Sequence, residues 1–195
     1  MSRNSYDSFD ETYREGTPPW ETSAPQPAVV GLAERGMFTG RVLDVACGTG
    51  ENSLHLTSRG HAVLGVDGSE TALAQARDKA EQRGLTAEFE LADAFDLAGL
   101  GRTFDTVLDS AFLHIPGNSA EDRLAYTRQL AQVLESSGWV HLLQISEYSD
   151  EHPSLTRAQI VEAFDDDWSS MRIDPSTYAV TTGEVPAWLV SVRRR

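Results

Sequence analysis

Gly40-Arg41-Val42-Leu43-Asp44-Val45-Ala46-Cys47-Gly48-Thr49-Gly50-Glu51-Asn52 is the stretch that decides the fold. A short apolar run, Arg41 to Val45, contains an aspartate near its end. A turn of small residues follows, then a helix-like segment from Asn52 to Ser58, with Leu54 and Leu56 apolar and Gly60 as its stop. A parallel α/β sheet has this order at its first strand–helix junction, where a ligand approaches the backbone at a helix N-terminus. Gly48 and Gly50 permit positive φ and a close approach.

Working downstream, the alternation continues. His61 to Val66 reads as a strand ending in Asp67-Gly68-Ser69, and Ser69 is positioned to cap a helix from Glu70 to Arg83, closed by Gly84. Thr86 to Leu91 and Thr103 to Leu108 are further strands. Asn118 or Ser119 caps an acidic-first helix running to Leu134, with Gly138 beyond it. Trp139 to Ile145 is a fifth strand and Leu155 to Phe164 a helix. Ser170 to Ile173 and Ala187 to Val192 are late strands with no helix between them, which predicts an antiparallel hairpin. The expected fold is α/β, a seven-stranded mostly parallel sheet with helices on both faces and right-handed crossovers.

Upstream, residues 1–36 read as a cap on the core formed by residues 37–195. Tyr6, Phe9, Tyr13 and Trp20 are more aromatics than a disordered tail carries. Pro18, Pro19, Pro25 and Pro27 break the segment into extended pieces, and Pro27 to Gly36 forms a short helix.

At 195 residues the chain is expected to be a single domain. Its formal net charge of −14 argues against a nucleic-acid footprint. No apolar run is long enough for a bilayer, and the polar N-terminus lacks a signal-peptide core. With Cys47 as the one cysteine no intrachain disulfide forms, which fits a reducing cytoplasm. No spacing of histidines, Cys47 and carboxylates marks a metal site. A monomer is expected, with a homodimer as the alternative.

Four constellations carry chemistry. In the first turn, a carboxylate at Asp44 would repel a pyrophosphate but accept a cationic or hydroxyl-bearing ligand, and Ser53 stands where a dinucleotide fingerprint has its third glycine. Asp67 lies 17 positions after Gly50 (67 − 50), near the spacing at which a carboxylate meets a ribose diol. Asp93-Ala94-Phe95 can bond an adenine amino group and cover its face. Asp109, Ser110 and His114 follow the fourth strand, where the reacting group belongs, and His114 is the candidate general base. His141, Gln144, Glu147 and Tyr148 are placed to line a substrate pocket.

Asp44-Val45-Ala46-Cys47-Gly48-Thr49-Gly50, Asp67 and Asp93-Ala94-Phe95 together resemble the class I S-adenosylmethionine (SAM)-dependent methyltransferases, with Ala46 in place of the first glycine of their motif. The resemblance implies a Rossmann-like fold, SAM as cofactor, and Asp44 organising the cationic methionine end. Tyr13 through Pro18-Pro19-Trp20-Glu21, Pro25-Gln26-Pro27, Gly50-Glu51-Asn52 and Asp105-Thr106-Val107-Leu108-Asp109-Ser110 are similar to the thiopurine-methyltransferase-like branch, especially small enzymes that methylate heterocyclic toxins. In that branch the proline–tryptophan segment is a lid, so Trp20 is implied to pack on the cofactor. The branch usually has aspartate after that tryptophan, where this chain has Glu21.

The expected function is methyl transfer from SAM to an O, N or S nucleophile of a small aromatic or heterocyclic acceptor. Expected cofactor residues are Trp20, Asp44, Ala46, Gly48, Gly50, Asn52, Asp67, Gly68, Ser69, Asp93, Ala94, Phe95, Asp109 and Ser110. Expected acceptor residues are Tyr13, His114, His141 and Tyr148. A nicotinamide-dependent oxidoreductase and a catalytically silent SAM-binding module are the alternatives. Ser53, Asp44 and the terminal hairpin disfavour the former, and the intact cofactor residues disfavour the latter.

Overall fold

The structure, a computed structural model, describes residues 3–16, 18–115, 119–149 and 152–195. Seven strands form one sheet: β1 (Arg41–Val45), β2 (Ala62–Asp67), β3 (Glu88–Leu91), β4 (Phe104–Ser110), β5 (Leu134–Ile145), β6 (Trp168–Val180) and β7 (Gly183–Arg194). Their order is β3-β2-β1-β4-β5-β7-β6. The first five are mutually parallel, and β7 runs antiparallel to both β5 and β6. The helices are α1 (Arg3–Glu15), α2 (Pro27–Glu34), α3 (Glu51–Ser58), α4 (Glu70–Gln82), α5 (Ala120–Val133) and α6 (Arg157–Glu162), with a 3₁₀ turn at Leu97–Leu100.

Both faces of the sheet are covered, which is why the central strands read as continuous apolar runs. Leu43, Val45, Val107, Val140 and Leu142 pack with Tyr126 and Leu130 of α5 on one face. Val42, Val63 and Leu108 pack with Val29 and Leu32 of α2 and Leu56 of α3 on the other. Leu43 and Leu108 are fully buried on opposite faces, each contributing ~2 kcal/mol of transfer free energy.

The helix starts follow local chemistry. Ser69 accepts the Ala72 N–H at 3.0 Å to cap α4. Ser119 and Asp122 form a reciprocal capping box on α5; Asn118, the other candidate cap, lies outside the described residues. Asp105 accepts the Arg41 N–H at 2.7 Å, so it braces the base of β1 far from the carboxyl ends of the strands.

Several elements differ from expectation, among them β5, which begins at Leu134, ahead of the expected Trp139. Residues 3–15 form a helix, where the prolines suggested only extended pieces; the prolines begin after α1 ends. The hairpin is far longer than the two short segments expected, because Pro175 lies on β6, the sheet's edge strand, where a missing N–H costs no ladder bond. Helix α6 runs only from Arg157 to Glu162, inside the expected Leu155 to Phe164, and Thr156 caps its start.

The N-terminal segment is sewn to both ends of the core. Gln26 bonds the Ala179 backbone on β6 with both amide atoms, donating at 3.0 Å and accepting at 2.8 Å. Its own N–H donates to Asn52 Oδ1 on α3 at 2.9 Å. The Thr181 N–H donates to Pro19 O at 2.9 Å. Asp10 of α1 accepts from Ser69 Oγ at 2.7 Å and from the Thr71 N–H at 3.0 Å, placing a carboxylate at the N-terminus of α4.

Candidate cofactor and acceptor site

A cavity of about 340 Å³ opens over the carboxyl ends of β1, β2 and β4. The strand order reverses between β1 and β4, the switch point at which open α/β sheets bind ligands. Its floor is the glycine-rich turn, and α1 with Pro19–Thr22 covers it.

The turn is shaped by close approach. Gly48 has φ 55°, and a Cβ there would lie 2.8 Å from the Tyr13 hydroxyl. Gly50 has φ 80°, and its Cβ would meet Ala76 and Phe89 at 2.9 Å. Ala46 also lies in the left-handed region, at φ 53°, a position that favours the glycine it replaces.

Asp67 spans the two βα turns. Its Oδ2 accepts the Gly48 N–H at 2.8 Å and its Oδ1 accepts the Ser69 N–H at 2.8 Å. Burial pushes its pKa up, while these amides oppose the shift. The carboxylate remains in the cavity wall with lone pairs to spare. Asp44 lies deeper. Ser53 Oγ donates to Asp44 Oδ2 at 2.6 Å, and Asp44 Oδ1 is buried with no hydrogen-bond partner among the described residues. Burial, then the nearby Asp109 and Asp67 charges, raise its pKa to about 7. A buried carboxyl with one oxygen unmatched among the described residues can accept a cationic donor.

The lid closes on aromatic packing and a charged latch. Trp20 Nε1 donates to the Tyr13 hydroxyl at 2.9 Å, and Trp20 meets Phe9 and Tyr13 edge-on at centroid distances of 5.9 and 6.2 Å. Glu21 accepts from the Thr49 hydroxyl and lies 3.5 Å from Lys79 Nζ. Lys79 also bonds Thr49 Oγ1 at 2.5 Å and Glu51 at 2.8 Å, and Arg83 holds Glu51 bidentately at 2.8 Å. Glu21 therefore ties the lid to the floor. Lys79 completes this network, and no motif in the sequence pointed to it.

The far wall is built by β4, β5 and β6. His114 is half-buried among these elements, with its ring Nδ1 2.9 Å from Gln144 Oε1, edge-on to Tyr178. Desolvation lowers its pKa to about 4; the Gln144 contact opposes this and His152 adds to it. His114 is thus neutral across the physiological range. Burial raises the Tyr178 hydroxyl to about 12, so it stays protonated. Asp109 sits beneath, accepting the Phe112 N–H at 2.8 Å and Gln144 Nε2 at 2.9 Å, its pKa raised to about 6 by burial.

Of the residues singled out in the sequence, Tyr13, Trp20, Ala46, Gly48, Asn52, Asp67, Gly68, Ser69, Ala94, Ser110 and His114 line the cavity together. Asp44, Gly50 and Asp109 support it from below. Asp93 turns back to accept the Phe95 N–H at 2.8 Å, and Phe95 packs on Phe112 and Tyr126.

Two expectations are corrected. His141 does not reach the cavity: it contacts Ser191 Oγ at 2.8 Å and the Met37 carbonyl at 3.1 Å beneath α2. It precedes the cavity residue Ile145 by four positions, about 13 Å along a strand. Tyr148 is 67% exposed and packs edge-on to Trp188 outside the site. The cavity also contains Phe9, Ile115, His152, Tyr178 and Val180, which the sequence reading did not assign to it. Period-two burial along β6 is the signal that places Tyr178 and Val180 on the inner face.

The fold and the site define a nucleotide-type α/β protein with an anionic pocket for a cationic ligand. Comparison with known proteins names the class. Residues 42–138 match the family model described as "Methyltransferase domain". The chain is 37% identical over 122 residues to a 2-heptyl-1-hydroxyquinolin-4(1H)-one methyltransferase of Mycobacteroides abscessus; that alignment takes in 58% of this chain and only 54% of the relative. It is 34% identical over 116 residues to an uncharacterized methyltransferase of Schizosaccharomyces pombe, covering 60% of this chain and 79% of that one. A solved structure described as "Conversion of a Disulfide Bond into a Thioacetal Group during Echinomycin Biosynthesis" superposes with a TM-score of 0.88 at 37% identity, over 97% of this chain and 92% of that chain.

The chain belongs to the class I SAM-dependent methyltransferases, and SAM is its cofactor. The unmatched Asp44 oxygen and the glycine cradle at Gly48 and Gly50 fit that group, whose methionine end is cationic. No helix among the described residues is long and apolar enough to cross a membrane.

Proposed function

We propose that this methyltransferase acts on a small aromatic or heterocyclic molecule, methylating an O, N or S nucleophile whose proton is received by His114. The reading treats residues 1–195 as one domain, with residues 1–36 as the lid. The observation that carries it is the neutral, half-buried His114 in the wall of the cavity that Asp67 and Gly48 floor. The relative named for a hydroxyquinolinone supports the same acceptor class.

SAM, when bound, supplies an electrophilic methyl group on a sulfonium that carries its own leaving group. The chain's residues bind, orient and exclude water. Asp67 receives the ribose hydroxyls and Asp44 the methionine ammonium, against the backbone of Ala46, Gly48 and Gly68. Ala94 bounds the adenine side, with Asp93 and Phe95 bracing it from outside the cavity lining, while Ser69, Asn52 and Ser110 fill the rim. Trp20 and Tyr13 cover the assembly and keep water out. Asp109 acts from below.

His114 then receives the acceptor's proton. With a conjugate-acid pKa near 4 it is a weak base, so the matching acceptor is an acidic heteroatom, such as the hydroxyl of an N-hydroxy heterocycle, rather than an alcohol. The test compares 2-heptyl-1-hydroxyquinolin-4(1H)-one with its analogue lacking the N-hydroxyl. Turnover of the first, with a His114→Ala single-turnover rate lower by about 10²-fold, is expected. An unchanged His114→Ala rate removes the histidine from proton transfer. Sulfur is the second reading, favoured by the solved relative described for a disulfide-to-thioacetal conversion; a preformed thiolate needs no base, so its methylation would be insensitive to His114→Ala.

A further inference from the structure

Beneath His114 lies a side chain that the methyl-transfer reading does not use. Gln144 is fully buried near the end of β5, and its amide faces His114 on one side and Asp109 on the other. Which amide atom faces which group is settled by two independent contacts. The His114 backbone N–H donates to Oε1 at 3.1 Å, which requires an oxygen there. Asp109 Oδ1 lies 2.9 Å from Nε2, and the Asp109 carbonyl 3.4 Å, which requires a donor.

With the amide fixed, the imidazole follows. Nδ1 stands 2.9 Å from an oxygen that cannot donate, so Nδ1 carries the proton. The Ile145 N–H lies 3.3 Å from the same Nδ1, which is the contact of the opposite tautomer. That tautomer would set the Nδ1 and Oε1 lone pairs against each other at 2.9 Å, a larger cost than one long backbone contact. Asp109 is locked in turn by the Phe112 N–H at 2.8 Å.

We propose that Gln144, oriented by Asp109, is a positioning residue that holds His114 as the Nδ1–H tautomer and so presents the Nε2 lone pair as the proton-accepting atom of the site. The inference rests on the reading of His114 as the base, and it deepens it. The device differs from a carboxylate–histidine pair. A neutral amide sets the tautomer without adding a charge beside the ring, so the imidazole stays neutral and the acceptor must bring the acidity.

The test uses the full chain, labelled with ¹⁵N-histidine and saturated with S-adenosylhomocysteine (SAH), at pH 7. Expected for His114 are a protonated, pyrrole-type Nδ1 and a bare, pyridine-type Nε2. A bare Nδ1 with a protonated Nε2 overturns the proposal. Gln144→Leu is expected to mix the two tautomers and to slow single-turnover methylation of 2-heptyl-1-hydroxyquinolin-4(1H)-one by at least tenfold. Gln144→Glu, as a protonated carboxyl, keeps both contacts, so it is expected to restore the tautomer and bring the rate within about fivefold of the parent. If Gln144→Leu keeps a pure Nδ1–H tautomer and an undiminished rate, the proposal fails. Should that variant not fold, the parent spectrum decides alone. A normal rate in His114→Ala refutes the base reading, whereas the ¹⁵N spectrum judges Gln144 independently of it.

Discussion

Lowering the pH should detach the cofactor, and Asp44 sets by how much. Its free-protein pKa is about 7, because the carboxyl is wholly buried beside Asp109 and Asp67 and one oxygen has no donor. A ligand ammonium restores the charged form, so below pH 7 binding must expel a proton. The ionised fraction drops from about half at pH 7 to about one part in a hundred at pH 5. SAH affinity should therefore fall by about 50-fold over that interval, or ~2.3 kcal/mol. Isothermal calorimetry in buffers of different ionisation enthalpy measures both the affinity and the proton released. Asp44→Asn should bind weakly at pH 8 and lose the slope between pH 7 and 6, leaving only the weaker contribution of Asp109, whose pKa is about 6. A flat affinity from pH 7 to 5 in the parent chain, or an unchanged slope in Asp44→Asn, would refute the placement of the ammonium at Asp44.

The same carboxyl has the opposite effect on the unliganded fold. Its folded pKa is raised from 3.8 to about 7, so its contribution is fully present below pH 3.8 and is lost as pH rises through 7. Asp44→Asn should accordingly stabilise the ligand-free chain by on the order of 2–4 kcal/mol at pH 8, with little gain at pH 4; equal urea midpoints at pH 8 would contradict this. Ala46→Gly should add ~1 kcal/mol by relieving the left-handed backbone at φ 53°, seen as a raised melting temperature. Lys79→Met removes the cation shared by Glu21, Thr49 and Glu51, and SAH should leave about tenfold faster in stopped-flow measurements of tryptophan fluorescence. His141→Leu leaves the Met37 carbonyl unmatched and should cost ~1–3 kcal/mol of stability. Its KM and kcat should stay within twofold, and a selective rise in KM would return His141 to the acceptor site.

The parts of the fold that could be read from the sequence are those where local chemistry and tertiary context agree. Arg41–Val45, the glycine turn and the Ser69 and Ser119 caps are each specified within a few residues, and the structure has them in place. The long hairpin is less legible because Pro175 resembles a strand breaker until β6 is known to be an edge. Helix α1 carries its signal in the spacing of Phe9 and Tyr13, an i, i+4 pair obscured by the prolines that follow. In the site, residues at strand ends were legible because topology alone brings them together. His141 reads as a pocket residue because it shares a strand face with Ile145, but it lies lower on the sheet. Gln144 reads as a pocket residue from its place near a strand end; its contacts with His114 and Asp109 depend on a register between β4 and β5 that no short motif encodes. Lys79 was invisible for a like reason, since Glu21, Thr49 and Glu51 meet it only after the lid folds down.

Transfer of the labelled methyl of [methyl-¹³C]SAM, offered together with N-hydroxyquinolinones, phenols, thiols and aza-heterocycles, tests the central claim most directly. The account predicts label on the heteroatom of an acidic heterocycle, with 2-heptyl-1-hydroxyquinolin-4(1H)-one methylated at its hydroxyl oxygen. Tight SAM binding with no label appearing on any member of that panel would contradict it.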